Sequence, residues 1–84
     1  GMDAVVVFMP LSSYRIGMFE GGRAEVDAIL ADMETAATAA GAAAVIDLSG
    51  SVPDDEFRDL AHTNLAGART FTDALIARMT ALGL

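Results

Sequence analysis

Apolar residues in this chain fall into two kinds of run. The first, AVVVFMP after Asp3, is continuous, rich in valine and stopped by Pro10. A strand with one wet face alternates apolar and polar residues, so an unbroken run predicts a strand covered on both faces, as in parallel sheets. AAAVIDLS, residues 42–49, predicts a second strand of the same kind. Between them the pattern turns helical. RAEVDAILADMETAATAAG places Val26, Ile29, Leu30, Met33, Ala37 and Ala40 on one stripe, with acids opposite and Gly41 as a C-terminal stop. Asn64 then caps a long helix whose stripe runs through Leu65, Ala68, Phe71 or Thr72, Leu75, Met79 and Leu82. Residues 11–22 read as a loop broken by Ser12, Ser13, Gly17, Gly21 and Gly22. Residues 50–57 read as a turn, in which Ser51 or Asp54 can start a helical turn over residues 55–59.

Strand, helix, strand, helix is the order of an α/β unit, with a parallel pair joined by a right-handed crossover. Two strands do not make a self-sufficient parallel sheet, because an apolar edge stays open. Residues 1–84 are therefore expected to be one small domain, a β-α-β-α fragment of a doubly wound, three-layer fold. Dimerisation would complete it. The edge in question is the strand at residues 4–9, between Ala4 and Met9, which carries no charge to protect it.

Composition narrows the function classes. The chain is 54% hydrophobic and 20% charged, which argues against disorder. It has no lysine, and five arginines face twelve acids for a net charge of −7. No basic patch is available to neutralise phosphates, so a nucleic-acid surface is not expected; a solvated acidic surface accounts for the charge. With no cysteine there is neither a disulfide framework nor a thiolate metal site. No segment has the length of a membrane span, and no basic stretch precedes an apolar one as in a signal peptide. Gly1 before Met2 reads as the scar of a cleaved tag, with the natural product expected to begin at Met2 and to be cytoplasmic if the chain is complete.

The candidate chemistry lies in FRDLAHTNLAGARTF, which holds the only histidine, His62, three residues after Asp59. On a helical turn that spacing brings carboxylate and imidazole together. The carboxylate then holds one ring nitrogen as N–H, and the other can take a proton from a hydroxyl. Alone the signal is weak, since eight aspartates put one at that distance by chance about one time in ten. A histidine near a helix start is also commonly a surface or capping residue.

The surroundings sharpen it. DDEFRDLAHTNLAGARTFTDAL closely resembles the last block of the SGNH (GDSL-type) hydrolase superfamily, in which Asp-x-x-His is followed by Asn, Gly, often Ala, then Phe and Leu on a helix. Asp59, His62, Asn64, Gly67, Ala68, Phe71 and Leu75 fit that pattern, and Phe57 sits where an aromatic often precedes the Asp. Thr63 departs from it, standing where an apolar residue is usual. VVVFMPL and AAAVIDLS resemble the last two strands of the same fold, so the resemblance covers nearly the whole chain as its C-terminal portion. It implies an esterase or acyltransferase ancestry, with Asp59 orienting His62 and His62 deprotonating a serine. It also implies that the Gly-Asp-Ser nucleophile block and the oxyanion blocks are missing from this sequence, leaving the chain inactive by itself. An N-terminal segment on another chain is then one expected partner.

Local serines do not replace that nucleophile. Ser12, Ser13, Ser49 and Ser51 follow the two strands, but none sits in a Gly-x-Ser-x-Gly elbow, and turn or cap roles explain them. His62 with Asp47, Asp54, Asp55 and Asp59 has no metal-ligand spacing. Asp47 is expected to bond loop amides, and Met9, Met18, Met33 and Met79 to fill core. Tyr14 and Arg15 are loop residues able to touch a substrate or partner. The competing expectations are a non-catalytic homodimeric remnant and, last, a flavodoxin-like cofactor fragment. The latter lacks any Gly-rich phosphate loop, and no cofactor is expected.

Overall fold

A computed structural model describes residues 3–84. Gly1 and Met2, where the reading of a tag scar falls, lie outside the described residues. The chain is mixed α/β, with β1 (Val5–Phe8), α1 (Ser13–Ile16), α2 (Gly22–Ala39), β2 (Ala44–Asp47), a 3-10 turn (Asp54–Glu56) and α3 (Leu65–Ala81). The two strands pair in parallel, Val5 opposite Ala44 and Phe8 opposite Asp47. The β-α-β order and the parallel pair are those expected from the pattern of apolar residues.

The punctuation residues act as their chemistry requires. Gly41 adopts φ 95°, which lets Ala42 N–H reach back to Ala37 O at 3.0 Å and close α2. At the other end, Glu25 accepts from Gly21 N–H at 2.8 Å, satisfying an amide that the helix leaves over. Asn64 Oδ1 accepts from Gly67 N–H at 2.9 Å and caps α3.

Four expectations are corrected. Residues 11–22 are not all loop: Ser12 Oγ accepts from Arg15 N–H at 3.1 Å and nucleates α1. The turn before α3 is a 3-10 turn over Asp54–Glu56, shorter than the expected 55–59, and Ser51 bonds back to Leu48 O instead of capping it. The strands are not covered on both faces. Ile46 and Phe8 are buried, but Val6 and Val7 are half-buried and Val5 is exposed. The reason is that α2 packs on β2, whereas α3 docks chiefly on the 3-10 turn. For the same reason Ile29 and Met33 on α2, and Leu65 and Ala68 on α3, lie exposed rather than in core stripes, and Met9 and Met18 are exposed as well. Of those four methionines only Met79 is even half-buried.

What remains is a thin core of Phe8, Val26, Ile46, Leu48 and Val52. Polar side chains supplement it. Ser12 Oγ donates to Leu60 O at 3.0 Å, and the Asp54 carboxylate takes both the amide of Ser13, at 2.8 Å, and its hydroxyl. Thr70 Oγ1 donates to Glu56 Oε1 at 2.6 Å, tying α3 to the 3-10 turn.

Gly67 fixes how close α3 comes. A Cβ there would collide with the Glu56 carbonyl oxygen and stand 2.8 Å from Thr63 Cβ. Because the first obstacle is backbone, no rotamer change relieves it. Gly67→Ala is expected to cost ~1–3 kcal/mol, read as a lower urea midpoint, with Ala66→Gly as a control for backbone entropy. An unchanged midpoint would refute the close packing.

The Ser13 hydroxyl and amide hold the Asp54 carboxyl below its ordinary value of 3.8. A depressed folded value gives stability that is complete above the unfolded pKa and is lost as pH falls through the folded one. Melting temperature should therefore drop on acidification below about pH 4. In Asp54→Asn that drop should be shallower, from a lower starting point at neutral pH. Equal slopes for the two proteins would show the contact to be idle.

Candidate functional site

The segment between the 3-10 turn and α3 is a small closed loop. Phe57 and Thr63 form an antiparallel bridge across its base. Arg58 N–H and Asp59 N–H donate to His62 O at 2.7 and 3.4 Å, and Asn64 N–H donates to Glu56 O at 2.9 Å. Inside, Asp59 Oδ1 accepts from the amides of Ala61 at 2.9 Å and His62 at 2.8 Å. An aspartate that bonds amides two and three residues ahead is an Asx-type turn, a local alternative to helix.

That turn brings the two site residues together. His62 Nδ1 stands 3.0 Å from Asp59 Oδ1 and 3.1 Å from Oδ2. The i, i+3 spacing thus does what it predicts, but on a loop rather than on a helical turn.

The electrostatics follow from the same contacts. The amides of Ala61 and His62 hold the Asp59 carboxyl below its usual range against an opposing desolvation, and the His62 ring adds a lesser lowering. Ionised, it only accepts hydrogen bonds, so Nδ1 carries the proton. Nε2 is left as the basic nitrogen of the neutral ring.

Nε2 has no hydrogen-bond partner among the described residues, and the His62 side chain is 66% exposed. It borders a cleft of about 270 Å³ with Met9, Pro10, Arg58 and Thr63, at the carboxyl end of β1, where parallel sheets gather their ligands. On the Asp59 side, Tyr14, Asp54, Phe57 and Leu60 line a second cleft of about 340 Å³. Tyr14 thus shares a cleft with Asp59. Arg15 lines neither cleft; its guanidinium lies 3.7 Å from Met18 Sδ. Arg58 and Leu60 went unremarked in the sequence, where only adjacency to Asp59 marked them.

The serines make their contacts elsewhere than on the imidazole. Ser12, Ser13 and Ser51 hold the turn and cap contacts already described, and Ser49 is buried beside β2. No serine bonds to His62 among the described residues. Asp47 Oδ1 accepts from Ser49 N–H at 2.9 Å, the loop-amide role expected of it. Among the described residues no three potential metal ligands come together, and no helix is long and apolar enough to cross a membrane. Compared with protein-family models, curated proteins and solved structures, the chain matches none of them.

Proposed function

We propose that this chain is the C-terminal part of an SGNH-type esterase or acyltransferase and supplies its general base pair. The observation that carries the proposal is the ionised Asp59 carboxylate, fixed by two backbone amides and turned onto His62 Nδ1, with Nε2 open to a cleft. In acyl transfer, Nε2 takes the proton of an attacking hydroxyl and returns it to the leaving group, while Asp59 keeps the tautomer and steadies the imidazolium. Gly67 adds support, since the motif glycine stands where a side chain cannot.

The nucleophile and the oxyanion donors come from a segment beyond these 84 residues or from another chain. A base in open solvent, with no nucleophile beside it, contributes little. The isolated chain is therefore expected to hydrolyse p-nitrophenyl acetate no faster than a surface imidazole, with no burst and no serine labelled by a fluorophosphonate. Long-range nitrogen NMR should find the neutral ring as the Nδ1–H tautomer, and Asp59→Ala should abolish that preference. A labelled serine, or an Nε2–H ring, would overturn the assignment. An in-frame Gly-Asp-Ser segment encoded just upstream would support it directly.

A second reading, a homodimeric remnant, is favoured by a separate observation. The sheet has two strands only among the described residues, and the valines of β1 are incompletely covered. Two-fold pairing of β1 with its mate would be antiparallel and give a four-stranded sheet. Sedimentation at micromolar concentration should then return twice the chain mass, and Val6→Lys should abolish association. A stable monomer would refute this second reading.

A further inference from the structure

A larger cleft, about 570 Å³, opens at the carboxyl end of β2 and includes neither Asp59 nor His62. Ser49 and Gly50 line it together with Arg78 of α3 and Arg23 in the first turn of α2, and the Asp47 carboxylate lines it as well. The parallel sheet and its crossover thus aim a loop and a helix start at the same space, the position that open α/β sheets use for ligands.

Two independent features give that space a chemistry. Ser49 is 1% exposed, and its hydroxyl is the one buried side-chain polar atom without a partner among the described residues. Its neighbours are satisfied: Ser49 N–H by Asp47, and the Ser51 hydroxyl by Leu48 O. An unpaired buried hydroxyl in the wall of a cleft marks a missing partner. The second feature is charge. Two of the five arginines of a chain with net charge −7 line this cleft, from helices remote in sequence. Arg78 has no ion pair among the described residues, and Arg23 has only the exposed i, i+4 contact with Asp27 at 2.9 Å.

We infer that this cleft binds a small molecule through a phosphate or carboxylate group. The guanidinium groups of Arg23 and Arg78 bind the oxyanion, and the Ser49 hydroxyl, buried and unpaired without a ligand, reaches it by changing rotamer. A planar guanidinium matches either group with paired N–H donors. Asp47 in the lining limits the negative charge the site accepts, which favours a single oxyanion over a polyanion. The site is separate from the Asp59–His62 pair and does not depend on its role.

Amide-resolved NMR titrations of the whole chain with inorganic phosphate and with acetate test this, at constant ionic strength. Saturable shifts are expected at Gly50 and Ser51 with at least one of the two, and the tighter anion identifies the group. Arg78→Gln should weaken binding about tenfold, and Ser49→Ala about threefold. Arg69→Gln removes the same charge from α3 outside the cleft and should leave affinity unchanged. The spectra themselves report whether each variant is folded. No saturable shift with either anion would overturn the inference, as would an equal loss in Arg69→Gln, which would trace the effect to net charge. Undiminished binding in Ser49→Ala would remove the hydroxyl from the site.

Discussion

Two parallel strands of four residues each are the constraint on which everything else in this chain turns. A parallel pair needs a long crossover, and here the crossover consumes α1, α2 and the loops around them. So short a sheet buries few side chains, and five apolar residues carry the core. The remaining order comes from polar side chains: Ser12 on the Leu60 carbonyl, Asp54 on the Ser13 amide, and Thr70 on the Glu56 carboxylate. The part-buried bonds of Ser12 and Thr70 each contribute about 1 kcal/mol net, a large share in a domain this small.

The Asp59–His62 loop is built on the opposite principle. Its contacts are made within five residues, by a carboxylate that satisfies two amides before it meets the ring. The geometry a general base needs is thus set locally and owes nothing to a neighbouring domain. What the loop lacks is enclosure. With the ring mostly in water, its Coulombic and hydrogen-bonding terms are screened, and only a covering partner would give them their full strength.

Much of this was legible in the residues. The valine run, the helical stripe and Gly41 gave the β-α-β order, and Asn64 gave the start of α3, because each depends on local geometry or period. Asp59 and His62 were legible for the same reason. The burial of the stripes was not, since Ile29, Met33 and Leu65 follow a helical period as well as Val26 does. Period states which residues share a face, and only the docking of α3 on the 3-10 turn decides which faces are covered. Nor does sequence place Ser12 on Leu60, because a side-chain bond to a remote carbonyl has no pattern. The orphaned hydroxyl of Ser49 was hidden likewise, as a turn serine among three others.

The reach of the clamps along the chain has a kinetic consequence. Ser12 and Leu60 are 48 residues apart, Ser13 and Asp54 are 41, whereas Asp59 and His62 are three. Closing a long loop costs entropy before any contact repays it, and short loops close on timescales of about 10–100 ns. The carboxylate and imidazole can therefore meet early, in a chain still searching for its strand partner. Their surroundings cannot. The cleft beside His62 exists only once β1 has found β2 and residues 9 and 10 have come back over the loop, so the histidine acquires its place in the fold long after it meets its carboxylate.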